Sequence, residues 1–305
     1  MVQVTSLMGK RTVVLAVADG MGGMQQGDRA AEIAIEEMAR FAHQTVPAVN
    51  TDDDLKALLE RAIRTANRRI WDYSVSISSP GGVGSTLVVV IATDGRYLVA
   101  NVGDSRCYMI KSSERHQITV DHTRVQELVD RGAMSPGQAR QSPYRHQLTN
   151  SLGDSDAVRV DVFPSSKGWN QVDSSYIVIV CSDGLHGEVS DQDIHQVITT
   201  TPDVQSGCDQ LLSLAILKGS KDNITVGAAE FGRVDRFGRI PGSGFLKTTD
   251  SWRPEPCRPN RFPPASRRIA LLAIVIAVVL VLLVGGFLWT HSRFTIDWMH
   301  DLVLK

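Results

Sequence analysis

Four short segments of this 305-residue chain set carboxylates beside glycine or asparagine in a repeated way. Val13–Gly23 reads VVLAVADGMGG, Tyr97–Arg106 reads YLVANVGDSR, Tyr176–Leu185 reads YIVIVCSDGL and Lys221–Val226 reads KDNITV. In the first three, an apolar, β-branched run ends on an aspartate next to a glycine. In the fourth, an Asp-Asn pair opens such a run. Aspartates at strand ends, joined by tight turns, gather hard oxygen ligands at one edge of a sheet core, and that donor set suits Mg²⁺ or Mn²⁺. A single Asp-Gly is usually no more than a turn, so the set carries the argument.

The elements that must position these residues alternate between helix and strand without an internal repeat. Leu55, Leu58, Leu59, Ala62, Ile63, Ala66 and Ile70 fall at helical spacing behind Thr51 and three aspartates suited to a helix N-terminus. Ala31, Ala34, Ile35, Met38 and Phe41 make a similar stripe after the first Asp-Gly. Ser190 with Asp193 resembles a capping box opening a helix through Val197, and Val204, Cys208, Leu211, Ala215 and Ile216 form a last stripe. Strands are expected at Arg11–Ala18, Ser85–Ala92, Arg96–Val102, Arg106–Lys111, Val158–Phe163, Tyr176–Cys181 and Asn223–Phe231. Thr93-Asp94-Gly95 reads as a hairpin turn between two of them. Paired helices, a meander of strands and paired helices again predict sheets covered by helices rather than a regular βαβ winding.

Other chemistries fail on spacing. A cysteine phosphatase needs an arginine six residues after its cysteine, and the four cysteines are followed there by Ser113, Gly187, Leu214 and Pro263. Cys181 reads as a buried strand residue. No G-x-S-x-G elbow, P-loop or H-E-x-x-H pattern occurs.

In order and spacing, ADGMGG with Gly27-Asp28 four residues on, GSTLVVV, ANVGDSR, ITVDHTRVQELVDRG, VCSDGL and KDNITV resemble the bacterial type 2C (PPM, metal-dependent) serine/threonine protein phosphatases. The resemblance covers about Thr12 to Phe231. It implies an α+β fold, a β-sandwich flanked by helix pairs in α-β-β-α layers, with a two-metal centre in a cleft at one end. It also implies hydrolysis of phosphoserine and phosphothreonine on proteins with Mn²⁺ or Mg²⁺, opposing a serine/threonine kinase. By motif, Asp19 is similar to the carboxylate bridging both metals and Gly20 to the backbone carbonyl ligand. Asp183 and Asp222 resemble the remaining ligands of the first metal, so Asp19, Asp183 and Asp222 form the expected catalytic set. Asp104 resembles the ligand of a weaker third metal, and Ala133 to Asn150 the flap that shapes substrate access. Two cations about 4 Å apart acidify a shared water for in-line attack on phosphorus. Clustered carboxylates repel one another without cations, so metal is expected both to activate and to stabilise the protein.

The chain departs from the family pattern in three places. Family members carry an arginine that clamps phosphate, and an acidic set for the second metal, some 20 to 30 residues before ADGMGG. Here the first acidic residue is Asp19, and Arg11 stands too close to match the clamp. A start upstream of Met1 is the expectation, with a missing sheet strand, a raw sheet edge and less core. The alternative is a catalytically weak pseudophosphatase serving as a phosphoprotein-binding regulatory module. Met21 occupies the position where the eukaryotic branch places a histidine. His186 is weighed as a proton donor, with a surface or cleft-rim histidine the favoured reading. Arg106 either holds Asp104 or is a salt-bridged strand residue.

Residues 1–231 carry 28 acidic and 21 basic side chains, whereas residues 232–268 carry nine Lys or Arg against three Asp or Glu. An acidic body on a basic tether argues against nucleic acid as a partner. Cys107, Cys181, Cys208 and Cys257 are scattered and suit reduced thiols. Val13–Ala18 is too short for the apolar region of a signal peptide and leads straight into a turn, so it is not expected to act as one. Residues 1–231 are thus expected to be the phosphatase domain and 232–268 a basic, Pro/Gly-rich linker. Residues 269–289 are uncharged over about 20 positions, the length of a transmembrane helix, and 290–305 form a short tail. Arg267 and Arg268 at the near end predict a single-pass protein of the cytoplasmic membrane with its phosphatase domain cytoplasmic.

Overall fold

The computed structural model describes residues 1–232 except 78, 80, 94, 166, 167, 173 and 174. Apart from Gly232, the expected linker, transmembrane helix and tail lie outside the described residues. No helix among the described residues is long and apolar enough to cross a membrane.

The chain opens with β1 (Val2–Leu7), β2 (Lys10–Val17) and the two-residue β3 (Gly20–Met21), then α1 (Met24–Arg40) and α2 (Asp52–Ser76). Next come β4 (Gly84–Ser85), β5 (Leu87–Thr93), β6 (Arg96–Val102), β7 (Arg106–Ile110) and β8 (Arg115–Gln117). Short helices α3 (Arg124–Asp130) and α4 (Pro136–Gln141) precede β9 (Asp161–Phe163), β10 (Asn170–Gln171) and β11 (Tyr176–Cys181). The last described elements are α5 (Asp183–His186), α6 (Asp191–Thr200), α7 (Val204–Leu217) and β12 (Val226–Phe231).

Two antiparallel sheets form the centre. One runs β1-β2-β5-β6-β10 with β9 also on β6, the other β12-β11-β7-β8, and β3 and β4 pair as a separate ribbon. Period-two alternation assigns each strand's faces. Leu87, Val89 and Ile91 of β5 pack with Ala34, Met38, Leu59 and Ile63 of the first helix pair. Val88, Val90 and Ala92 face the other way, onto Val178 and Val180 of β11 between the sheets. Ile177 and Ile179 of β11 then meet Ile194, Ile198 and Leu211 of α6 and α7. Both faces of β5 and β11 are buried, which is why these strands read as unbroken apolar runs. The layers are helix pair, sheet, sheet, helix pair, as expected.

Helix caps follow their sequence signals. Thr51 accepts from the Asp54 N–H, and Ser190 accepts from the Asp193 N–H. The α1 stripe is rotated by a residue from expectation: Ala30, Ile33, Ala34 and Met38 are buried while Ala31 is only partly so. Ile216, assigned to the α7 stripe, is exposed. The strand expected at Asn223–Phe231 begins at Val226, because Thr225 spends its N–H on the Ser182 hydroxyl. Strand β1 was not anticipated. It pairs with β2 through a two-residue turn at Met8-Gly9, both with positive φ. β1 covers β2 and forms an edge of the first sheet, and β12, half-buried throughout, forms an edge of the second.

Candidate metal centre

Strand register brings the aspartates together. Val17 pairs with Val88 and Leu87 with Val102, which carries the ends of β2, β5 and β6 to one rim of the sandwich. Cys181 pairs with both Arg106 and Val226, setting the ends of β11, β7 and β12 at the same rim. Asp19, Asp104, Asp183 and Asp222 leave these ends and line one cavity of about 350 Å³. Gly20 and Met21 line it too.

Local hydrogen bonds fix each carrier. The Asp19 N–H donates to Thr86 Oγ1 at 3.0 Å, the Thr86 N–H returns to the Asp19 carbonyl at 2.8 Å, and Ser85 Oγ donates to the same carbonyl at 3.0 Å. Ser85 and Thr86 come from the GSTLVVV segment, whose polar opening thereby gains a positioning role. Gly20 lies so close to α1 that a Cβ there would meet the Gly27 carbonyl oxygen at 2.0 Å. The DG of VCSDGL and the DN of KDNITV are side by side for the same reason. A Cβ on Gly184 would stand 2.4 Å from the Asn223 carbonyl oxygen, and Ser182 Oγ donates to that carbonyl at 3.2 Å.

The electrostatics are those of crowded, partly buried carboxylates. Burial, then Asp183 and Asp222, push the Asp19 carboxyl up to about 7. Burial, then Asp183, Asp121 and Asp19, push Asp104 up to about 8. Asp104 is only 6% exposed. Asp183 Oδ1 is buried with no donor reaching it, while Oδ2 lies 3.1 Å from His146 Nδ1. Asp222 is exposed, and its Oδ1 accepts the Asn223 N–H at 2.8 Å. Buried carboxylates of this kind are held by protons or by cations, and all-oxygen donors with an orphaned buried oxygen fit Mg²⁺ or Mn²⁺.

Two readings left open by the sequence resolve here. Arg106 closes on Asp121 rather than Asp104, with Nη2 2.7 Å from Asp121 Oδ2. His186 lines a groove of about 400 Å³ beside the cavity, and its Nε2 donates to the Asp104 carbonyl at 2.9 Å. Burial holds its pKa well below the usual histidine value, so the imidazole stays neutral with Nε2–H committed. It is a cleft-rim residue. His146 was missed: it sits within Ala133–Asn150, a stretch with no periodicity to place it, yet Asp104, His146 and Asp183 offer ligand atoms all within 4.8 Å of one another.

Residues 8–224 match the protein phosphatase 2C family. The chain belongs to that family. The phosphatase is 32% identical over 213 residues to the serine/threonine phosphatase stp of Listeria monocytogenes serotype 4b, covering 70% of this chain and 82% of the relative. The crystal structure of serine/threonine phosphatase Stp1 from Staphylococcus aureus superposes with a TM-score of 0.66 at 28% identity, covering 76% of this chain and 88% of that one. The catalytic domain of PstP in complex with two manganese ions gives 0.61, also at 28%, covering 76% and 91%. This phosphatase is a metal-dependent enzyme of the serine/threonine protein phosphatase class, working with Mn²⁺ or Mg²⁺.

Proposed function

We infer that Asp19, the Gly20 carbonyl, Asp183 and Asp222 would hold the divalent cations of the catalytic centre, and that Asp104 with Asp183 would hold a further, weaker one. The observation that carries this reading is the buried, donor-free Asp183 Oδ1 facing raised carboxyls at Asp19 and Asp104 in one cavity. Bound there, the cations supply an acidified water and neutralise charge on the phosphoryl oxygens of phosphoserine or phosphothreonine. The chain's own part is positioning. Ser85 and Thr86 hold the Asp19 backbone by three hydrogen bonds, so its carboxylate needs no reorganisation when a substrate arrives. Gly20, with no Cβ, lets this turn lie directly against the Gly27 backbone. Met21 offers no proton at the cavity wall, and the neutral His186 has its N–H engaged, so leaving-group protonation falls to water or another group.

Substrates on this reading are phosphorylated proteins, targets of a serine/threonine kinase. Residues 269–289 anchor the enzyme in the cytoplasmic membrane, with 1–231 as the cytoplasmic phosphatase domain and 232–268 as a basic tether. Support comes from the uncharged length of that run and from Arg267 and Arg268 beside it. Manganese-dependent hydrolysis of p-nitrophenyl phosphate and of phosphopeptides tests the chemistry. Asp19→Ala and Asp183→Ala are expected to lower it by roughly 100-fold or more; an unchanged rate in either overturns the ligand assignment. Recovery of the full-length chain in the soluble fraction after cell lysis overturns the anchor.

A further inference from the structure

The 133–150 segment carries a histidine that does more than border the cleft. The geometry points to His146 as a protein ligand of the cation shared by Asp104 and Asp183, so that loading this cation fixes the segment over the cleft and favours Mn²⁺ over Mg²⁺ at that position. The inference rests on the assignment of Asp104 and Asp183 given above.

Three observations support it. Ligand atoms of Asp104, His146 and Asp183 lie within 4.8 Å of one another, and His146 Nδ1 is 3.1 Å from Asp183 Oδ2. Adjacent ligands of an octahedral ion with bonds of about 2.1 Å stand roughly 3 Å apart, so the pair can share an ion with little movement. Second, Asp104 is 6% exposed and lines the cavity, yet no side-chain donor among the described residues reaches its carboxylate. That is a nine-tenths buried acid within ligand reach of the imidazole, with no cationic side chain paired to it.

Third, the backbone carrying His146 is tied to the backbone carrying Asp104. The Arg124 N–H donates to the Gln147 carbonyl at 2.9 Å, and the Thr149 N–H donates to the His122 carbonyl at 2.9 Å. The His122 N–H in turn donates to the Gly103 carbonyl at 3.0 Å, one residue from Asp104. The ligand atoms therefore sit on a common main-chain frame, while the imidazole itself is 49% exposed and free to engage or release. Imidazole suits transition ions, whereas Mg²⁺ prefers oxygen and gives up water reluctantly. A histidine on this ion is thus a discriminator as well as a latch.

The test uses the full-length chain, stripped of metal and titrated with MnCl₂ or MgCl₂. Manganese uptake is read from the EPR signal of the free ion, and amide exchange of 133–150 is read by mass spectrometry. In the wild type, the weakest manganese slows exchange across 133–150, and saturating magnesium does so less. His146→Ala is expected to weaken that manganese about tenfold or more and to abolish the slowing. His146→Asp is expected to restore the latch while removing the preference for manganese. Equal melting temperatures of the metal-free variants show that folding is intact. If Asp104→Asn loses the weak manganese and His146→Ala keeps it, with the same protection of 133–150, the role of His146 is overturned and the Asp104 assignment stands. If Asp104→Asn also keeps it, both fall.

Discussion

Arg106 follows Asp104 by two residues, yet its guanidinium lies on Asp121, with Nε 3.0 and 3.1 Å from the two carboxylate oxygens and Nη2 2.7 Å from one of them. Strand alternation sets this choice. Arg106 opens β7 and turns towards the face carrying Tyr108, whose hydroxyl accepts from Nη1 at 3.1 Å. The cleft therefore keeps its acidic groups uncompensated by any arginine at that turn. Asp121 takes the guanidinium, and Asp104 does not.

Replacing Arg106 separates stability from metal binding. Asp121 is 10% exposed at its side chain, so Arg106→Ala strands a largely buried carboxylate. A loss of about 3 kcal/mol in urea unfolding is expected. The number of manganese ions taken up per chain stays the same, since the guanidinium touches no proposed ligand. A variant that loses manganese while keeping its stability would reverse this division of roles.

The metal-free protein is expected to lose stability as pH rises. Asp19 and Asp104 have folded-state values of about 7 and about 8, both above their unfolded value. A carboxyl raised on folding contributes most when protonated, below its unfolded pKa, and that contribution disappears as pH rises through the folded pKa. Melting temperature in EDTA should thus fall steadily from pH 5 to pH 9. With saturating Mn²⁺ the trend reverses, because cations bind the deprotonated forms. Asp183→Asn removes a like charge from the cluster, so it should raise the melting temperature in EDTA at pH 8 and blunt the gain from manganese. A thermal melt series across pH, with and without metal, reads all three outcomes.

The parts of this site legible in the sequence are those tied to strand ends. Asp19, Asp104, Asp183 and Asp222 each adjoin a run of β-branched residues, and that pairing of pattern with carboxylate survives without any tertiary information. Both helix pairs were legible through Thr51, Ser190 and their 3.6-residue stripes. His146 was not, because its place depends on hydrogen bonds from Arg124 and Thr149 that no local period encodes. Strand β1 alternates only as VQVTSL, and its pairing is decided by the Met8-Gly9 turn rather than by an apolar run. The true start of β12 depended on Ser182 capturing the Thr225 N–H from 43 residues away.

His186 predicts a negative result with mechanistic weight. Its N–H is spent on the Asp104 carbonyl and burial keeps the ring neutral, so it has no proton to lend near neutral pH. His186→Gln should therefore leave the limbs of the pH–rate profile for p-nitrophenyl phosphate where they are, with only a lower plateau from a loosened Asp104 turn. A limb that disappears in this variant would make His186 an acid or base after all.

His122 ties two backbone segments of the cleft to one buried ring. Its Nδ1 accepts the Gly103 N–H at 3.1 Å and Asn150 Nδ2 at 2.7 Å, and its Nε2–H donates to Asp161 Oδ2 at 3.0 Å. Burial lowers its pKa, and the neutral Nε2–H tautomer satisfies all three partners at once. Gly103 precedes Asp104, and Asn150 ends the 133–150 segment, so the ring holds a proposed ligand and that segment in one register. In His122→Phe the shape is filled but the Gly103 N–H loses its acceptor inside the protein, a cost of about 2 kcal/mol. Catalysis should suffer more than that loss alone implies, and it should suffer in kcat rather than KM, because the variant disturbs where Asp104 stands rather than how the phosphopeptide docks. His122→Asn, which returns an acceptor near the Gly103 N–H, should recover part of kcat. If kcat instead follows stability alone across the two variants, His122 is a core residue without a positioning role.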